Sequence, residues 1–169
     1  PNTILGAKLE VELSTRVNRE GILKAKLETI PKIFEWVIID NSPFLGIQTQ
    51  AALAMSNYYI CVVDNSASSL QGFNMLRDVV DEIKESGIND NLKLLGILRN
   101  RFDKRSNFTK DFNKVLEGAF SGYLFNTIIP DSIKYKEASA MHQCIQEYNK
   151  QAAEVYADLY KEILKRVEV

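Results

Sequence analysis

The stretch FEWVIIDNSPFLGIQTQAAL, residues 34–53, joins an apolar run to a turn and then to a helical pattern. The run WVII, residues 36–39, predicts a buried β-strand, because near-continuous apolar runs are typical of strands covered on both faces. The run ends on Asp40, and ligands of parallel α/β sheets bind beyond the carboxyl ends of the strands. Asp40 is therefore a candidate functional carboxylate, although a solvated turn residue would occupy the same place.

The rest of the chain repeats this order of strand and helix. Apolar runs predict strands at 36–40, 58–63, 92–98 and 124–129. Helical spacing predicts helices at 4–14, 21–30, 47–56, 69–86, 108–120, 132–140 and 149–167. Such alternation predicts an α/β fold with a doubly wound, mostly parallel sheet, helices on both faces, and one functional edge at the carboxyl ends of the strands. The length of 169 residues suits a single α/β domain spanning 1–169.

The charge distribution indicates one local basic region within a nearly neutral chain. The net charge is −1, which argues against a generally cationic nucleic-acid binder. Between residues 93 and 136, however, nine Lys or Arg stand against four Asp or Glu. The cations of two loops predict a patch for DNA phosphates; the alternative is a solvated loop of mixed charge. These cations are Arg99, Arg101, Lys104, Arg105, Lys134 and Lys136.

Two features of the sequence indicate an intracellular protein with no membrane span. The two cysteines form no metal-ligand spacing, and we expect reduced thiols. No apolar run approaches the ~20 residues that a membrane span requires. The last predicted helix carries an apolar stripe, but its polar face mixes acidic and basic residues. Membrane-surface helices favour a basic face, so we expect this helix to pack on the core.

Several ordered segments resemble one family of nucleotide-dependent proteins. WVIIDNSPFLG is similar to a Walker B strand with its IIDtPPslG switch, and LLGILRNRFDKRSNFT to a GIllT/NmyDgRtn strand and loop. SASSLQGFNML, FNTIIPDSIKYKEA and the final helix are similar to further segments of the same family, in the same order. By this pattern the chain resembles the C-terminal two-thirds of ParA/MinD-type (deviant Walker) partition ATPases, in particular those of the ParA/Soj kind.

The resemblance implies ATP and Mg²⁺ as cofactors and assigns roles to particular residues. Asp40 is implied to act in catalysis and to hold Mg²⁺ through water, and Asn100 and Pro130 are implied to lie at the adenine edge. From the residues alone, Asn100 could be a turn residue bonding its own backbone, and Pro130 a strand terminator. The resemblance also implies an ATP-dependent homodimer, non-specific DNA binding through Arg105, Lys134 and Lys136, a ParB-like stimulating protein, no membrane partner, and a cytoplasmic, nucleoid-associated location.

The sequence departs from this family pattern in several places. Asn41 and Ser42 replace the usual Thr-Pro of the switch, and Asp131 stands where a basic residue is common. No GxxxxGK[ST] or KGGxGKT loop is present, and without one nothing cradles the phosphates. Together with a start at Pro1, this favours the C-terminal part of a longer ATPase domain. The alternatives are a MinD-like positioning ATPase that cycles on membranes, and a non-hydrolysing interaction module that lost the phosphate loop.

Overall fold

The computed structural model describes residue 15 and residues 21–30, 33–103 and 105–167 of the chain. Its strands are β1 (Tyr58–Val63), β2 (Lys93–Phe102) and β3 (Leu124–Pro130). Its helices are α1 (Ile22–Glu28), α2 (Ile47–Met55), α3 (Ala67–Glu85), α4 (Asn107–Phe120), α5 (Ile133–Ala140), α6 (Ile145–Tyr148) and α7 (Lys150–Val167). Helix α6 was not expected from the sequence. The other helices confirm the helical patterns to within a few residues, and the expected helix at 4–14 lies outside the described residues.

The three strands form one sheet in the order β1-β2-β3. Strands β2 and β3 are parallel, and their register shifts twice between Ile97 and Phe102. The interior of β2 is a continuous buried run from Leu95 to Arg99, as expected for a strand with a neighbour on each side and helices over its faces. The fold class predicted from the sequence, a doubly wound α/β fold, is confirmed.

Local signals at helix starts explain two of the boundaries. The Ser106 side chain accepts a hydrogen bond from the backbone N–H of Thr109 at the start of α4. The Ser132 side chain accepts one from the backbone N–H of Lys134 at the start of α5. Each hydroxyl satisfies one of the N–H groups that the first helical turn leaves without a partner. Both helices therefore begin directly beyond the carboxyl ends of β2 and β3, where the sequence predicted functional loops.

Contacts divide the chain into two compact units. The first contains the described residues up to Tyr59 together with Asn74–Lys93. Its core is a cluster of Leu53, Val80, Ile83 and Leu92, with Tyr59, Leu76 and Val79 packed against it. The second contains Ile60–Phe73 and the described residues from Leu94 onward. Its largest fully buried side chains are Phe125, Ile97, Leu116 and Val63. The single domain expected from the sequence stays a prediction.

Helix α7 is bound to β3 through one carboxylate and one guanidinium. Glu162 accepts hydrogen bonds from the backbone N–H groups of Asn126 (2.7 Å) and Thr127 (2.9 Å) and from the Thr127 hydroxyl. Arg166 pairs with Glu162 at 3.1 Å and donates to the carbonyl of Leu124. Burial raises the pKa of Glu162, but the bonds that it accepts outweigh burial, so its pKa lies below the ordinary value. The final helix therefore packs on β3, as expected, but residues of its polar face make these contacts.

The expected strand at 36–40 is wrong. These residues have no strand structure, and Val37 and Ile38 are exposed (62% and 90%). A β-strand requires a neighbouring strand for its backbone hydrogen bonds, and within the described part of the chain no strand pairs with this run. Asp40 therefore does not lie at the tip of a strand here.

Candidate functional site

Asp40 lies at the rim of a small polar cavity in the first unit. The cavity measures about 50 Å³, and its lining consists of Asp40, Asn41, Ser42, Phe44, Gly46, Gln48 and Thr49. Local hydrogen bonds shape the turn: Asn41 donates to the carbonyl of Ile39 at 3.2 Å, and Ser42 accepts from the Phe44 N–H at 3.2 Å. Asp40 itself is exposed. The turn thus presents one solvated carboxylate beside amide and hydroxyl groups.

This arrangement fits a magnesium ion held through water. Magnesium keeps several waters and needs only one or two carboxylates from the protein. The cavity beside Asp40 has room for one or two water molecules, and its amide and hydroxyl groups are suitable partners for them. Within the described residues, no group of three or more His, Cys, Asp or Glu side chains is arranged to hold a metal ion directly. The turn offers one carboxylate and room for one or two of the ion's waters, while the sequence supplies no phosphate cradle.

Asn100 lies near the carboxyl end of β2, inside the strand. The sequence predicted that β2 ends at residue 98 and that Asn100 follows in a loop, and this boundary is wrong. The strand continues to Phe102 because β3 extends to Pro130 and pairs with it there. Asn100 is half-buried, and in the part of the chain that the structure describes its side-chain amide has no hydrogen-bond partner. The amide is therefore available to a ligand at this edge of the sheet.

Pro130 is the last residue of β3 and borders a second cavity. Phe102 of β2 is its partner in the register. The cavity measures about 270 Å³, and its lining consists of Ile128, Pro130, Ser132, Tyr135, Gln151, Ala152 and Val155. The Tyr135 hydroxyl donates to the carbonyl of Ala152 at 3.2 Å, and its ring packs edge-on against Tyr156. The two candidates for the adenine edge thus lie at the carboxyl ends of adjacent strands in the second unit.

Two of the three cations expected to bind DNA already have carboxylate partners. Arg105 donates to both carboxylate oxygens of Asp103, at 3.0 and 3.1 Å, and these bonds lower the pKa of Asp103. Lys134 pairs with Glu137 at 2.9 Å, and hydrogen bonding to this carboxylate raises the pKa of Lys134. Lys136 is exposed and has no ion-pair partner within the described ranges. The local field is therefore less positive than the count of basic residues implies.

Arg99 does not belong to the basic patch, contrary to the prediction. Its side chain is only 6% exposed, and it donates to Asn113 at 2.6 Å and to the carbonyl of Phe125 at 2.7 Å. Glu117 lies 3.5 Å away. Burial lowers the pKa of Arg99. Because β2 runs four residues further than expected, Arg99 is an interior strand position facing α4, and it packs inside the second unit.

Sequence reasoning missed two features at the same strand ends. Asp64, directly after β1, accepts hydrogen bonds from the hydroxyls of Ser66 and Ser69, and these bonds lower its pKa. Arg101 has a positive φ of 58° and pairs with Asp131 at 3.9 Å. The repeated serines after Asp64 were a visible signal for a hydroxyl-bonded turn. Nothing in the sequence around Arg101 indicated its backbone conformation, since arginine is not a typical left-handed residue.

The expected site residues fall into the two units. Asp40 and its cavity belong to the first unit, and Asn100 and Pro130 belong to the second. The cations Arg105, Lys134 and Lys136 are also in the second unit. The second unit therefore carries both the candidate base edge and the candidate DNA contacts, while the first carries the candidate metal residue.

The fold places this chain in a class of proteins, those with a P-loop NTPase-like α/β fold. A family model described as an AAA domain matches residues 1–94. The chain is 31% identical to the chromosome partitioning protein ParA of Myxococcus xanthus, over 93% of this chain and 56% of that protein. It is also 31% identical to the sporulation initiation inhibitor protein Soj of Bacillus subtilis, over 96% of this chain and 65% of that protein. The chain belongs to the ParA/MinD-type partition ATPase family.

The fold of this chain is also similar to that of a solved structure. Cobyrinic acid a,c-diamide synthase from Mycobacterium smegmatis, with bound ADP and magnesium, superposes with a TM-score of 0.67. The sequences are 26% identical, and the match covers 78% of this chain and 53% of that one. The chain thus spans between half and two thirds of the length of the proteins that it resembles.

Among the described residues, no helix is both long enough and apolar enough to cross a bilayer.

Proposed function

We propose that this chain acts in an ATP-dependent DNA-partition protein of the ParA kind. The observation that carries the proposal is membership in the partition ATPase family, with ParA and Soj relatives aligned along nearly the whole chain. ATP and Mg²⁺ are the proposed cofactors, and the related synthase solved with ADP and magnesium supports them. The proposed location is the cytoplasm, on the nucleoid, without a membrane partner.

The proposed role of Asp40 is to orient the water shell of Mg²⁺, and the proposed role of Asn100 and Pro130 is to bind the adenine. The ion, when bound, neutralises phosphate charge during hydrolysis. The exposed carboxylate of Asp40 beside the Asn41-Ser42 turn supports the first role, because it can hydrogen-bond water without losing another partner. The unpartnered amide of Asn100 supports the second. The phosphates need donors that this sequence does not contain, so this chain alone is expected to bind ATP weakly.

The proposed DNA contacts are non-specific, and they depend on ATP because two subunits together present more cations than one. Arg105, Lys134 and Lys136 are the proposed contacts. One subunit neutralises few phosphates, and affinity rises steeply with the number neutralised. The proposed partners are therefore a second copy of the protein, duplex DNA, and a ParB-like protein that stimulates hydrolysis.

Hydrolysis by the full-length natural protein tests this proposal. Asp40→Asn keeps the size of the side chain but removes its charge, so we expect the magnesium-dependent ATPase rate to fall by about 100-fold or more. The matched control is Asp90→Asn, which changes an exposed carboxylate of the same unit in the turn after α3. An unchanged rate in Asp40→Asn would remove Asp40 from the site. The absence of any ATPase activity in the natural protein would instead favour a non-hydrolysing module.

A further inference from the structure

Arg101 has a backbone conformation that residues with a side chain rarely adopt. Its φ of 58° lies in the left-handed region, where the Cβ crowds the following carbonyl. It lies where the pairing register of β2 and β3 shifts, between the pair of Arg99 with Ile128 and the pair of Phe102 with Pro130. Irregularities of this kind re-aim side chains and are frequent beside functional sites. Strain held at a strand end therefore supports a functional role for the residue.

The position of Arg101 connects the two candidates for the adenine edge. It follows Asn100 directly, and its Nε lies 3.9 Å from Oδ1 of Asp131, which follows Pro130 directly. The two side chains are 60% and 43% exposed, and an ion pair this open contributes little to stability. Stability alone therefore explains neither the strained backbone nor the pairing, and a role toward a ligand at this edge is the better explanation.

The chemistry of the two purines indicates what that role is. Adenine offers a donor at N6 beside ring-nitrogen acceptors, and an asparagine amide, with one donor group and one acceptor, can match both. Guanine offers two N–H donors to an acceptor-only carboxylate, and two acceptors, O6 and N7, to a donor-only guanidinium. A free Asp131 or a free Arg101 at this edge would therefore favour guanine, whereas the free amide of Asn100 suits adenine.

We propose that the Arg101–Asp131 pair determines the base preference of this edge. Each charged group offsets the charge of the other, so neither presents a full charge to guanine, and Asn100 is left to contact the base. The inference rests on the proposed function, because it concerns the same nucleotide edge. It adds a pair of specificity residues that lies beside the proposed base contacts and is unrelated to hydrolysis.

Titration of the ¹⁵N-labelled chain with AMP and with GMP tests the inference. The reporter is the side-chain amide signal of Asn100, identified by its loss in Asn100→Asp. The variants are Arg101→Asn, since asparagine tolerates a positive φ, Asp131→Asn, and the exchange Arg101→Asp with Asp131→Arg. The control is Lys114→Asn, which removes an exposed cation paired with Asp111 on α4. Monophosphates measure base affinity with little contribution from the missing phosphate cradle.

We expect the natural chain and the control to bind AMP more tightly than GMP. Each single variant should lower the ratio of AMP to GMP affinity by about tenfold, the typical discrimination of one well-placed base contact, and the exchange variant should restore it. Unchanged ratios in both single variants would overturn the inference while leaving the base site intact. Asp131→Asn does not alter residue 101, so it decides the matter if Arg101→Asn disturbs the fold. If AMP shifts no Asn100 signal in the folded natural chain, the proposed base edge itself is wrong.

Discussion

Replacing Gly96 by alanine tests how tightly α7 is packed on the sheet. A Cβ at this position of β2 would lie 2.6 Å from Cε2 of Phe125, 2.7 Å from Nη1 of Arg166 and 2.8 Å from the carbonyl oxygen of Tyr123. The first two atoms belong to a cation–π pair, with the guanidinium carbon 4.2 Å from the ring centroid. The third belongs to the backbone and accepts the 2.8 Å hydrogen bond of the Ile97 N–H. None of the three can move away without losing a contact.

The expected cost follows from these contacts. Overpacking of a tight interior typically costs about 1–3 kcal/mol, and displacement of Arg166 weakens charge-assisted hydrogen bonds worth about 1.5–3 kcal/mol. Alanine also lowers the conformational entropy of the unfolded chain, which stabilises the folded state by about 0.4–1 kcal/mol. Gly96→Ala should therefore lower the free energy of unfolding by about 2–4 kcal/mol. With urea m-values of about 1–3 kcal/mol per molar, the midpoint should fall by about 0.7–4 M.

Gly72→Ala is the matched control for this prediction. Gly72 lies inside α3, and a Cβ there would have no heavy atom within 4 Å. Alanine in a helix interior is favoured over glycine by about 0.5–1 kcal/mol, so the same substitution should raise the urea midpoint. Equal midpoints for Gly96→Ala and the natural chain, at an unchanged m-value, would refute the packing of Arg166 over Gly96.

Two further predictions concern charged side chains of the second unit. The pKa of Glu162 in the folded chain is below its ordinary value. The ionised carboxylate therefore stabilises the fold at pH values above about 4.3, the pKa of glutamate in an unfolded chain. This stabilisation is lost as the pH falls through the lower pKa of the folded chain. Glu162→Gln should lower the free energy of unfolding at pH 7 by about 1–2 kcal/mol, and the difference in stability from the natural chain should shrink toward pH 3. Glu154→Gln, which changes an exposed residue of the same helix, should alter neither the stability nor its pH dependence. A difference for Glu162→Gln that is independent of pH would contradict the role given to its carboxylate. For DNA binding by the full-length protein with ATP, Lys136→Gln should reduce the slope of log affinity against log salt by about one per site, and Lys134→Gln by less, because Lys134 already pairs with Glu137. Equal slopes for all three proteins would remove these lysines from the DNA interface.

The parts of the fold that depend on local pattern could be predicted from the sequence. Strands β1 and β3 are near-continuous apolar runs, helices α3 and α4 have amphipathic spacing, and hydroxyl caps such as Ser106 and Ser132 mark where helices begin. The alternation of these elements was sufficient for the α/β class. The order of the family-like segments was sufficient for the family. These are properties of short stretches, and they do not require knowledge of what a stretch contacts.

Tertiary contacts decided the remaining features. The run WVII has a strand-like composition, yet residues 36–40 form no strand, since pairing depends on a neighbour that composition cannot supply. Pairing with β3 extends β2 to Phe102, so that Arg99 lies in the interior and Asn100 lies within the strand. The left-handed backbone of Arg101 and its pairing with Asp131 also depend on the shifted register. The sequence therefore determined most of the elements and the family, while contacts between distant segments determined which strands pair, where β2 ends and which charges are free to meet a ligand.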